Sequence, residues 1–224
     1  MSKSVIRAKG ADRAEILVYD DIGAGMFGGM TAKDFADELK ALGPVREINV
    51  RIQSGGGNVF DGVAMYNSLK RHPARIVVDV DGLAASIASL IAMAGDQINM
   101  AEDAIMMIHN PWTVTGGGSK ELRKAADTLD KVADNLVNAY HARTGMHPDN
   151  IRSFMEEETW MTAEEAREFG FADRITEPMQ MAASADLSRY QYQHVPRSLQ
   201  ARAPARARNQ KVVRMNLRAR RHKV

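Results

Sequence analysis

The chain has 224 residues, 45% of them hydrophobic and 26% charged, and a formal net charge of +2; this is the composition of a globular protein able to build one sizeable core. It contains no cysteine, which excludes disulfides, thiolate zinc sites and a cysteine nucleophile. Met1-Ser2-Lys3-Ser4 opens without an apolar leader, and no apolar run approaches the roughly 18 residues of a membrane span, so the expected setting is cytoplasmic, without membrane contact.

Taken in order, Ala14–Tyr19 and Glu47–Ile52 are rich in β-branched residues and alternate, which predicts strands. Between them Thr31-Ala32-Lys33-Asp34 reads as an N-terminal cap, with Phe35, Leu39 and Leu42 as a helical stripe closed by Gly43. Ser54-Gly55-Gly56-Gly57 follows the second strand, and a helix carrying Phe60, Val63, Ala64 and Leu69 follows the glycines. Ile76-Val77-Val78-Asp79-Val80 predicts a buried strand, and the small residues of Gly82-Leu83-Ala84-Ala85-Ser86-Ile87-Ala88 place Ser86 at the start of a helix. A further apolar run, Ala104–Ile108, delivers His109 to a strand mouth.

After Gly116-Gly117-Gly118, with Ser119 as cap, Leu122, Ala125, Leu129, Val132, Leu136 and Tyr140 recur at helical steps until Gly145. The pattern predicts a helix of about six turns whose apolar face either covers the sheet or meets another subunit. Thr162-Ala163-Glu164-Glu165 has the capping-box pattern, with Met161 as a staple, and its helix ends at Gly170. Strands alternating with helices predict an α/β fold with a largely parallel sheet.

Beyond Pro178 the order signals fade. Ala201–Arg208 is low-complexity, and the tail reads as flexible. Of the 30 Lys/Arg, 11 lie in 187–224, where there is no Asp or Glu, leaving 19 basic against 28 acidic residues in the body. Such a tail can touch nucleic acid phosphates, but its only aromatics are Tyr190 and Tyr192, so a solvated or cleavable tail, or one that contacts the acidic body of another subunit, is the preferred reading.

Ser86 and His109 suggest a nucleophile and its general base. The helix start after Ser86 favours developing negative charge, and amides from the glycine loop and Ile87 can hold an oxyanion. The exposed edge beside the glycines can pair with an extended peptide. An imidazole needs a third group to orient it; Glu156, Glu157 and Glu158 are the acidic candidates, and spacing does not choose among them. Each residue alone has a plainer reading: Ser86 as an ordinary helix start, His109 as a core histidine. His72 reads as a solvated turn, and none of the other histidines has a metal-ligand partner at useful spacing. No metal and no cofactor are expected.

Ser54-Gly55-Gly56, Gly82–Ser86, Met107-Ile108-His109-Asn110-Pro111 and Glu158–Ala166 resemble the successive signature blocks of the ClpP family of serine peptidases, over about residues 14–177. Within it the chain looks closest to the ClpP-like head-maturation (prohead) proteases of tailed phages. The resemblance implies the ClpP/crotonase-type ββα superhelix, with a long handle helix at 119–143. It divides the chain into an N-terminal segment 1–13, a protease domain 14–180 and a basic tail 181–224. It further implies Ser86 as nucleophile, His109 as base, Glu158 as acid with Glu157 as fallback, an oxyanion hole from the Gly56 and Ile87 amides, and substrate binding at Gly55 and Gly57.

Two positions depart from the family pattern: Gly55 stands where housekeeping ClpP has proline, and Glu158 where it has aspartate. The implied function is a serine endopeptidase, ATP-independent or assisted by an ATPase partner, that processes capsid or scaffold proteins within a homo-oligomeric ring in the host cytoplasm. A non-catalytic assembly subunit of the same fold and a crotonase-like acyl-CoA enzyme are the alternatives. The Arg-Ala steps of the tail suggest in addition that the protease trims its own C-terminus.

Overall fold

The computed structural model describes residues 7–8, 12–24, 29–178, 187 and 190–200. The expectations for 201–224, and for most of the segment 1–13, fall outside the described residues. The elements are β1 (Arg7–Ala8), β2 (Arg13–Val18), α1 (Ala32–Ala41), β3 (Glu47–Ser54), α2 (Val59–Lys70), β4 (Arg75–Ala85), α3 (Ile87–Ala92), β5 (Gln97–Ala101), β6 (Ile105–Ile108), α4 (Ser119–Thr144), α5 (Pro148–Glu156), β7 (Thr159–Thr162), α6 (Ala163–Glu168), β8 (Arg174–Thr176) and α7 (Arg197–Gln200).

The main sheet runs β1-β2-β3-β4-β5-β8, parallel from β2 to β8. Parallel neighbours need crossovers, and α1, α2 and α3 supply them between successive strands from β2 to β5. β4 changes partner along its length. It pairs with β5 through Val77–Val80 and with β6 from Leu83 to Ala85, while β7 adds antiparallel to β6. The sheet thus branches, through β6 and β7, where the nucleophile candidate lies.

Side-chain alternation sets the two faces of the main sheet. On β3, Ile48, Val50 and Ile52 are fully buried, and Glu47, Asn49, Arg51 and Gln53 point the other way and are half-buried. On the polar face Asn49 and Asn99 donate to the two oxygens of Asp79 at 2.7 and 2.6 Å, and Arg51 donates to Asp81 at 2.8 Å. The apolar face packs with Phe35, Met65, Leu69, Leu90 and Ile91 into one core. Each such side chain contributes about 1.5–3 kcal/mol relative to exposure.

Helix starts follow local chemistry. Thr31 Oγ1 accepts from Asp34 N at 3.1 Å, and Asn58 Oδ1 caps α2 by accepting from Phe60 N and Asp61 N at 2.9 and 3.1 Å. The capping box forms in full, with Thr162 N donating to Glu165 Oε2 at 2.8 Å and Glu165 N to Thr162 Oγ1 at 3.3 Å. At α4 the expectation needs correcting: Gly118 is the cap residue, and Ser119 is already helical. The helix has 26 residues and ends one residue beyond the expected 143. Of its apolar stripe only Leu136, Val137 and Tyr140 are buried, whereas Leu122 is 47% exposed. The stripe therefore packs into the core beside α3 and α5 at one end of the helix and is exposed at the other. No helix among the described residues is long and apolar enough to cross a membrane.

Candidate active site

Ser86 sits between the end of β4 and the start of α3 with φ 55 and ψ −129. For a residue with a Cβ this region costs about 1–3 kcal/mol, and surrounding bonds hold it. Ser86 N donates to Met107 O at 2.9 Å, and Ser86 O accepts from Ser89 N at 3.0 Å and Ser89 Oγ at 2.6 Å. Since β4 and β6 pair beside it, the residue leaving β6 arrives next to the one leaving β4. Ser86 Oγ and His109 Nε2 are 2.8 Å apart. With the ring proton on Nδ1, the hydroxyl donates to Nε2, the arrangement that proton abstraction requires.

Burial lowers the His109 pKa below its ordinary value, and the negative field of Glu158 opposes the shift. Burial thus favours the neutral ring, the form a base needs.

Glu158 lies in the turn between α5 and β7 at φ 51 and is 8% exposed. Its Oε1 accepts from His194 N at 2.7 Å, Gln193 N at 2.8 Å and Trp160 Nε1 at 3.1 Å, and its Oε2 from Gln193 N at 2.9 Å. Burial raises its pKa, but the amides of His194 and Gln193, the Trp160 indole and His109 outweigh this and hold the carboxyl below the ordinary carboxylate range. Glu157 and Glu156 are exposed. The Glu157 carboxylate is turned onto α5, where it accepts from Ser153 Oγ at 3.3 Å. Of the three glutamates, only Glu158 is buried beside His109.

The glycine loop differs in one respect from expectation. The Gly56 amide, expected in the oxyanion hole, donates to Ser54 Oγ at 3.1 Å. Gly56 serves by its lack of a side chain: at φ +94, a Cβ would lie 2.8 Å from both Ala85 O and Ser86 Cβ. Gly57, by contrast, lines a cavity of about 810 Å³ together with Ser86, Ile87 and His109, and its N–H has no hydrogen-bond partner among the described residues. Ile87 is the first residue of α3, so its N–H has no acceptor within the helix. The cavity continues past Trp112, Val114 and Leu129, an apolar wall suited to side chains of a bound peptide. Among the described residues no group of three or more acidic or histidine side chains is placed to hold a metal ion.

Sequence reasoning did not assign Tyr190 and Tyr192 to the site. Tyr192 OH donates to Gly55 O; its ring meets His109 edge-on at 5.4 Å and Trp160 at 5.5 Å, and stacks on Tyr190 at 5.2 Å. Tyr190 OH donates to Asp21 Oδ1. The Tyr-x-Tyr spacing is the one available signal, because residues two apart on extended chain lie on the same side.

The Clp protease family profile matches residues 13–179. ATP-dependent Clp protease proteolytic subunit 3 of Rhodococcus jostii is 33% identical over 140 residues, 61% of this chain and 69% of that protein. The protein of the same description from Streptomyces coelicolor is 30% identical over 144 residues, 63% of this chain and 66% of its own length. A ClpP1 mutant structure from Listeria monocytogenes superposes with a TM-score of 0.64 at 22% identity, covering 73% of this chain and 91% of its own; at that identity the likeness speaks for the fold alone. With a family match across most of its length and a mixed α/β fold of the ClpP type, the chain belongs to the Clp protease family and is a serine-type, ClpP-like peptidase.

Proposed function

We propose that this protein is a serine endopeptidase whose chemistry is carried by Ser86, His109 and Glu158, acting on protein chains that enter a homo-oligomeric assembly. The 2.8 Å approach of Ser86 Oγ to His109 Nε2 carries the reading. Ser86 Oγ attacks the scissile carbonyl carbon as its proton passes to His109 Nε2. The carbonyl oxygen becomes an oxyanion facing the Ile87 and Gly57 amides, in a setting where one such donor is worth about 2.7–4 kcal/mol of barrier. Collapse breaks the C–N bond, and His109 returns the proton to the departing amine. Water, deprotonated by the same imidazole, then hydrolyses the acyl-serine. Glu158 is the orienting carboxylate for the Nδ1–H side of the ring.

The resemblance to head-maturation proteases makes capsid and scaffold proteins the first substrates to try. The relatives named as proteolytic subunits of an ATP-dependent protease make an unfoldase-delivered substrate the second. The test is incubation of folded wild type and Ser86→Ala with denatured casein and with a candidate capsid protein, each with and without a cognate ATPase. Cleavage by wild type that disappears in Ser86→Ala, at unchanged melting temperature, is the expected result. Equal cleavage by both proteins refutes the assignment of Ser86.

A further inference from the structure

The groove beside Ser86 is already filled in part by the chain's own C-terminal segment. We propose that the groove is a binding site for an extended aromatic-x-aromatic peptide whose resident ligand is Tyr190–His194, and that this segment restrains the enzyme by covering Ser86 and His109. The proposal rests on the reading of Ser86, His109 and Glu158 as the catalytic group.

Three independent contacts support it. Tyr192 places its hydroxyl on Gly55 O and its ring edge-on to His109, so it covers the mouth of the Ser86–His109 pair. Gly55 provides the room for this: a Cβ there would lie 2.5 Å from the Tyr190 ring. The backbone amides of Gln193 and His194 both donate to Glu158. These are charge-assisted bonds, stronger than neutral ones. They anchor the segment on the carboxylate that lies beside His109, so that Tyr192 is held over the pair from its C-terminal side.

Long-range charge acts in the same direction. The segment opens the stretch 187–224, which carries 11 basic and no acidic residues, while the rest of the chain has 28 acidic against 19 basic. The tether also raises the local concentration of the segment to the order of millimolar. A free peptide must therefore outcompete an intramolecular ligand. A substrate with aromatic residues two apart fits the groove best, because it reuses the slot formed by Gly55, His109 and Trp160.

The test uses the full-length chain, as wild type and as the double variant Tyr190→Ala/Tyr192→Ala. Hydrogen exchange of the Gln193 and His194 amides reports docking, and the second-order rate of Ser86 labelling by a fluorophosphonate reports access to the nucleophile. The expected result is slow exchange of these amides in wild type, fast exchange in the double variant, and labelling at least tenfold faster in the variant. A synthetic peptide spanning 187–200, added to the double variant, slows labelling again in a saturable way, and the same peptide with both tyrosines replaced by alanine does not. Wild-type amides that exchange like an unstructured peptide overturn the docking. Released amides with an unchanged labelling rate overturn the restraint. Protected amides with no labelling of either protein overturn the Ser86 reading itself, and with it any restraint on catalysis.

Discussion

Gly56→Ala isolates how closely the glycine loop is fitted against the nucleophile. At φ +94 an alanine adopts a conformation that costs L-residues about 1–2 kcal/mol. Its Cβ would also lie 2.8 Å from Ala85 O and from Ser86 Cβ. Ala85 O belongs to the last residue of β4 and Ser86 is bonded at both its N and its O, so neither neighbour can retreat freely, and overpacking of this kind costs about 1–3 kcal/mol. Together these give about 2–5 kcal/mol, which for a chain of this size lowers the melting temperature by about 4–20 °C. Gly43→Ala is the matched control: its φ is +66, but nothing lies within 4 Å of the added methyl, so only the backbone cost remains. The assay is thermal unfolding of wild type and both variants, with fluorophosphonate labelling measured well below each melting temperature. Gly56→Ala should melt clearly below Gly43→Ala and label at least tenfold more slowly, because relief of the overlap moves Ser86 off His109. If the two variants melt together and both label at the wild-type rate, the close fit has no energetic meaning and the argument fails.

Burial lowers the His109 pKa below its reference of 6.5, so the labelling rate should rise with pH along a curve whose midpoint lies below 6.5, on the acid side of free histidine. The sign for stability follows: the unfolded chain binds the proton more readily, so the contribution of the neutral, buried ring is complete above the unfolded pKa and fades as pH falls through it toward the folded value. A midpoint above 6.5 in the pH–rate profile would contradict the burial argument. Thr162→Ala removes the capping box that starts α6; it should cost about 0.5–2 kcal/mol in a denaturant titration and leave the labelling rate unchanged, since that cap touches none of the reacting groups.

Much of this arrangement was legible in the sequence, for identifiable reasons. The strands at 47–52 and 76–80 declare themselves because β-branched residues line a buried face, and Thr162 with Glu165 form a cap from a four-residue pattern that needs no tertiary information. Ser86 was placed correctly at a helix start because the small residues before it follow an apolar run. The sequence is silent where geometry depends on torsion rather than on residue type. Three consecutive glycines look alike, yet the Gly56 amide turns to Ser54 and the Gly57 amide lines the cavity. Glu157 and Glu158 are chemically identical neighbours. The positive φ of Glu158, invisible in the sequence, accompanies the turn that buries its carboxylate and leaves that of Glu157 on the helix surface. The tyrosines were missed for another reason: Tyr192 meets Gly55 across 137 positions, and a low-complexity neighbourhood conceals a contact of that range.

The change of partner along β4 has a consequence for how activity can be lost. One continuous strand is ladder-bonded to β3 and β5 along the main path of the sheet and to β6 where the sheet branches, and the serine is the next residue along. A slip of one register on either side would turn every β4 side chain to the opposite face and carry the hydroxyl about one residue rise, roughly 3.3 Å, away from the imidazole. Nucleophile and core are thus assembled in a single act of strand pairing. A partly folded chain that holds one of these pairings and has lost the other is inert, so an active-site probe also counts the molecules that have completed both.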